Sequence, residues 1–196
     1  MSGGYIYNAL AAGNRDAVED EIETLDVCLC HPTPFSQFHY HFWSSCAVEG
    51  YGYASKTDAP PLCRDTDGCT TEPAKMTMNN SRNNQVPYFT AENWDKPVGL
   101  AKDGHLIMGP YKQDGSVYGC GDRDACNGAF VDGQYVYVGS STFPYVVGCW
   151  GPGPDPSYSP SCTQNGCSSD SDDDGKDNAK TLFALTGAIL ATFSLF

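Results

Sequence analysis

Ten cysteines limit what this chain can fold into more than any other feature. They are Cys28, Cys30, Cys46, Cys63, Cys69, Cys120, Cys126, Cys149, Cys162 and Cys167. An even number of cysteines spread through polar, Gly- and Pro-rich sequence is typical of a disulfide framework made in an oxidising compartment. A zinc site built from thiolates is the competing interpretation, but the chain has no paired Cys-x-x-Cys motifs. We therefore expect disulfides.

The pairing of these cysteines stays open, because sequence alone does not determine connectivity. Proximity along the chain favours four local pairs and leaves Cys28 and Cys120 for each other. The four pairs are Cys30–Cys46, Cys63–Cys69, Cys126–Cys149 and Cys162–Cys167.

The composition predicts a mainly β fold. With 21 glycines, 13 prolines and 12 tyrosines, the chain favours short strands joined by turns over long helices. We expect a disulfide-rich antiparallel sandwich or barrel with long loops and at most one short helix. The predicted elements are strands at 5–10, 37–43, 134–138 and 143–149, a hairpin over 97–111, a helix over 16–25 and a disulfide-stapled insertion over 55–87.

The C-terminal segment differs in composition from the rest. Residues 1–151 read as one domain, 152–180 as a Pro/Ser/Asp-rich stalk or spacer, and 181–196 as an uncharged hydrophobic tail. Small residues, here Ser168 and Ser169, followed by a polar spacer and a hydrophobic tail are the pattern of a GPI-anchor signal, with attachment at one of these serines. A C-terminal transmembrane anchor is the alternative, although 16 residues are short against the ~20 that span a bilayer.

These features predict an extracellular protein at the cell surface, attached to the membrane through its C-terminus. Met1 to Tyr5 lacks the basic and apolar regions of a signal peptide. We therefore expect the natural protein to begin upstream. Asn79, in the sequon Asn79-Asn80-Ser81, is a predicted glycosylation site.

The net charge of −13 predicts that the chain attracts cations and has no nucleic-acid partner. Protein or glycan partners are not identified by the sequence. Residues 170–175 fit the start of a calcium loop, but Thr181 stands where the bidentate glutamate belongs, so we interpret them as a solvated acidic spacer. No nucleophile elbow or phosphate loop is present, and no catalytic residue or organic cofactor is predicted.

Six blocks of sequence, in order from residue 4 to residue 151, resemble the YHYH-domain family. They are GYIYNALAAGNRDAV (4–18), Cys30-His31-Pro32, Phe38-His39-Tyr40-His41, VGLAKDGHLIMGPY (98–111), DACNG (124–128) and FPYVVGCW (143–150). The resemblance implies that Met1 falls inside the domain. It assigns no firm activity, but the repeated histidines of the family suggest metal binding. This chain departs from the family at the second Tyr-His-Tyr-His motif, where it has Tyr135-Val136-Tyr137-Val138.

The surviving histidines give a candidate site for one copper or zinc ion. His39 and His41 point to the same face of a strand, and His31 could join them across a turn. Asp20 or Asp103 could complete the ligand set. Two alternatives stay open: a metal-free structural or adhesive surface protein with ordinary hydrogen-bonded histidines, and, less favoured, a metal-dependent enzyme.

Overall fold

The computed structural model of this chain describes residues 4–47, 60–78 and 89–152. Within these ranges the chain forms short strands, two short α-helices and several 3₁₀ turns. The strands are β1 (Tyr5–Ile6), β2 (Leu10–Ala11), β3 (Arg15–Asp16), β4 (Cys30–Pro32), β5 (Phe38–Tyr40), β6 (Pro97–Leu100), β7 (Leu106–Met108), β8 (Gly128–Val131) and β9 (Gln134–Val138), and the helices are α1 (Ala17–Glu21) and α2 (Ala74–Thr77).

The strands form three open sheets, which confirms the mainly β prediction. Their orders are β1-β5-β4, β2-β3 and β6-β7-β9-β8. Most neighbouring strands are antiparallel, as expected, but β1 pairs with β5 and β7 pairs with β9 in parallel. The helix count also differs from the prediction of at most one short helix, because α2 lies within the predicted stapled insertion over 55–87.

Several predicted elements are present but shorter. The hairpin over 97–111 is formed by β6 and β7, which pair in antiparallel register around the turn at Gly104 (φ +92°). The strand predicted over 5–10 is interrupted because the Asn8 side chain accepts a hydrogen bond from the Leu10 backbone N–H and turns the chain. The helix predicted over 16–25 is confined to Ala17–Glu21.

The strand predicted over 143–149 is wrong. Tyr145 has a φ of +62°, which an extended strand does not allow. The Tyr145 backbone N–H bonds to the Thr142 carbonyl, and its own carbonyl accepts from Ser140. Residues 143–149 therefore turn back on themselves.

An aromatic core is built around Phe42 and Trp43, which follow β5 in the chain. Phe42 and Trp43 are fully buried, with ring centroids 5.2 Å apart. The Trp43 indole Nε1–H donates to the Ser140 carbonyl at 2.8 Å, so its polar group is satisfied in the core. Tyr145 packs on Phe42 and donates its hydroxyl to the Asp16 carboxylate at 2.7 Å. The core is thereby connected to the start of α1.

Three disulfides join described cysteines. The predicted pairs Cys63–Cys69 and Cys126–Cys149 are confirmed. The predicted pair Cys30–Cys46 is wrong, because Cys46 bonds to Cys28 instead.

The register of the β4–β5 hairpin explains why Cys46 bonds to Cys28 and not to Cys30. Cys30 lies within β4 opposite Tyr40, so the chain running on from Tyr40 to Cys46 passes the residues before Cys30. Cys28 is therefore the nearer partner. The Cys30 thiol is free, buried and donates to the Asp26 carboxylate at 3.2 Å. The predicted pair Cys28–Cys120 is also wrong, because Cys28 is bonded to Cys46 and Cys120 takes part in another disulfide.

Other predictions fall outside the described residues. They are the glycosylation site Asn79, the pair Cys162–Cys167, the attachment sites Ser168 and Ser169, the acidic spacer, and the stalk and tail beyond residue 152. Among the residues that the structure does describe, every helix is too short or too polar to traverse a bilayer.

Candidate metal centre

The register of the β1-β5-β4 sheet places three of the four histidines on one face. His31 in β4 lies directly opposite His39 in β5. Directly paired residues of neighbouring strands point to the same side of a sheet. His41 follows two residues after His39 and shares that side. The predicted proximity of His31, His39 and His41 is therefore confirmed, and together they form a group of side chains able to hold a metal ion.

The Nε2 atoms of these rings converge. His39 Nε2 lies 3.1 Å from His31 Nε2 and 2.9 Å from His41 Nε2. Two ligands that each lie about 2.05 Å from one ion are separated by about 2.9 Å at a 90° angle and about 3.3 Å at the tetrahedral angle. The observed spacings are thus those of neighbouring ligands around a single small transition-metal ion.

The opposite ring nitrogens are held by oxygen atoms. His41 Nδ1 lies 2.7 Å from the Asn8 carbonyl, and His39 Nδ1 lies 3.3 Å from the Gln37 carbonyl. A carbonyl oxygen only accepts hydrogen bonds, so each Nδ1 carries the proton. His31 Nδ1 contacts Thr24 Oγ1 at 2.9 Å, and that hydroxyl donates its hydrogen to the Glu21 carbonyl. In this arrangement the hydroxyl accepts from His31 Nδ1.

These tautomers leave three bare Nε2 lone pairs facing one another. Lone pairs at 2.9–3.1 Å repel unless a cation lies between them. Metal-ligating histidines have this same outer arrangement, in which the second ring nitrogen donates to a carbonyl or another oxygen. The donor set fits a transition metal that prefers imidazole, such as copper or zinc.

Burial favours the neutral form of His31 and His39, in which an imidazole can ligate a metal. Burial, together with the neighbouring His39 and His41 rings, lowers the pKa of His31 to about 4. Burial also lowers the pKa of His39, although the Gln37 carbonyl opposes this effect. The Tyr7 ring stacks on His39, with ring centroids 4.2 Å apart.

Helix α1 contributes a carboxylate that the sequence analysis missed. Glu21 Oε2 lies 3.4 Å from His31 Nε2 and 3.3 Å from His41 Nε2. The helix begins at the N-cap Asp16, whose carboxylate accepts from the backbone N–H groups of Val18 and Glu19. Val18 and Leu25 are buried, and Glu21 lies three residues after Val18 on the same side of the helix. This helical spacing can be read from the sequence, and it would have identified Glu21 as the carboxylate on the buried side of the helix.

The two carboxylates named from the sequence lie elsewhere. Asp20 is turned towards Arg15, with which it forms an ion pair at 2.9 Å. Asp103 accepts a hydrogen bond from the Tyr137 hydroxyl and contacts His105 Nδ1 at 3.1 Å. The fourth histidine, His105, is therefore part of a separate polar cluster on the sheet of β6 to β9.

The two valines of the altered second motif belong to a second hydrophobic cluster. Val136 and Val138 are buried and pack with Met108 and Ala129. Tyr135 and Tyr137 alternate with them along β9 and point to the other face, where Tyr135 donates to the Asp124 carboxylate at 2.8 Å. Apolar packing thus occupies the two positions at which the resemblance to the YHYH family implies a second pair of histidines.

Comparison with known families confirms the resemblance seen in the sequence. A family model described as YHYH protein matches residues 3–151. The chain belongs to the YHYH family. Searches of curated proteins and of solved structures found no match. In this YHYH protein the first motif, Phe38 to His41, covers β5 and the residue after it, and supplies two of the three converging imidazoles.

Proposed function

We propose that this YHYH protein is an extracellular metal-binding module of the cell surface, holding one copper or zinc ion on His31, His39 and His41. The observation that carries the proposal is the convergence of three imidazole Nε2 atoms whose Nδ1 atoms all contact oxygen atoms. A cation between them removes the lone-pair repulsion and uses a site that is already organised.

The proposed location is supported by the disulfides, since such bonds persist in oxidising compartments and are rare in the cytosol. We propose attachment to the membrane through the C-terminal segment, by a lipid anchor or a short hydrophobic tail. A metal-free structural or adhesive protein is the alternative function, favoured by the loss of histidine at Val136 and Val138. We assign no catalytic residue.

Replacing His39 with alanine tests the proposal. His39 is the central ring, because its Nε2 contacts those of both His31 and His41. We expect His39→Ala to weaken copper or zinc binding by more than about hundredfold, the upper end of what the loss of an outer-shell partner costs. Isothermal titration of the metal-free protein with each ion measures the change.

His105→Ala is the matched control, because it removes an imidazole that lies outside the centre. It should bind the ion with unchanged affinity. Equal affinities for the wild type and the His39 variant would contradict the proposed site.

A further inference from the structure

Glu21 has a carboxylate oxygen for which the described residues offer no hydrogen-bond partner. Its Oε2 atom is fully buried and unsatisfied, although the side chain as a whole is 27% exposed. Burying an unpaired carboxylate oxygen is costly, and native proteins avoid it where no partner exists. The atom faces two bare imidazole nitrogens, which offer it no proton. A cation at the same point would supply the missing partner.

The four donor atoms form a ring. Oε2 contacts His31 and His41, and His39 contacts the same two histidines from the other side. Every step around this ring measures 2.9–3.4 Å, close to the spacing of neighbouring ligands about 2.05 Å from one ion. The carboxylate also supplies a negative charge, which three neutral imidazoles lack.

On the basis of the proposed metal-binding function, we propose that Glu21 is the fourth ligand, so that the ion is held in a closed four-donor site that fastens helix α1 to the β4–β5 hairpin. Structural metal sites have all positions filled by protein, whereas catalytic sites keep one open for water or substrate. Glu21 fills the position that an enzyme would leave open.

Glu21→Ala tests this role, with Glu23→Ala as the matched control. Glu23 is exposed and lies two residues further along the chain. In the metal-free protein, we expect Glu21→Ala to melt at the same temperature as the wild type or higher, because it removes an unsatisfied buried oxygen. With copper or zinc, it should bind at least about tenfold more weakly. Glu23→Ala should match the wild type in both states.

Copper(II) electron paramagnetic resonance adds a readout that a purely structural role would not change. We expect added azide to leave the spectrum of the copper-loaded wild type unchanged and to alter that of Glu21→Ala, where a coordination position is open. If the wild type binds the ion and Glu21→Ala binds it equally well, the role of Glu21 is overturned while the three-histidine site stands. If the wild type binds neither ion, the proposed function itself fails, and this inference fails with it.

Discussion

Reducing the disulfides is expected to unfold this domain at room temperature. The three described bonds close loops with sequence separations of 18, 6 and 23 residues. By the loop-entropy relation, bonds of these lengths stabilise by about 2–3.5 kcal/mol each, mainly by restricting the unfolded chain. Their sum is comparable with the whole stability of a typical domain, about 5–15 kcal/mol. Circular dichroism of metal-free protein with and without a phosphine reductant measures the effect.

Removing the disulfides one at a time provides a control for the effect of reduction. Cys126→Ala/Cys149→Ala opens the longest of the three loops and Cys63→Ala/Cys69→Ala the shortest, and all four cysteines are part of the described disulfides. The first pair of substitutions should lower the free energy of unfolding by about 1 kcal/mol more than the second. A reduced sample that keeps its melting temperature would contradict the disulfide framework.

Trp43→Ala is the single substitution expected to destabilise the domain most. Trp43 is fully buried and lies against Phe42, Phe89 and the backbone of Gly139. Truncating such a side chain leaves a cavity and costs about 3–5 kcal/mol. The change also removes the donor to the Ser140 carbonyl, which stays buried. Denaturant unfolding of the metal-free protein measures the loss.

Trp150→Ala is the control for this substitution. Trp150 is 58% exposed, so the same change there should alter the free energy of unfolding by no more than about 0.5 kcal/mol. Similar losses at both positions would show that Trp43 does not hold the core together.

The sequence predicted those parts of the molecule that depend on local spacing. The period of two along the strand predicted over 37–43 placed His39 and His41 on one face, and the Asp103-Gly104 turn predicted the hairpin of β6 and β7. Cysteines close in sequence, such as Cys63 and Cys69, were paired correctly.

The sequence analysis missed what depends on register or on helix phase. The choice of Cys28 over Cys30 follows from the pairing of Cys30 with Tyr40, which no local pattern specifies. The parallel pairing of β1 with β5 joins segments more than 30 residues apart. Glu21 was missed because one residue along a helix turns a side chain by about 100°, which separates it from Asp20.

Metal content is the measurement that tests the central claim most directly. The full chain would be expressed without a histidine tag in an oxidising secretory host, beside the variant His39→Ala/His41→Ala. Both purified proteins would be analysed for copper and zinc. The account predicts one equivalent of copper or zinc in the wild type and none in the variant. A folded wild type that contains neither ion, and takes up neither when they are added, would contradict it.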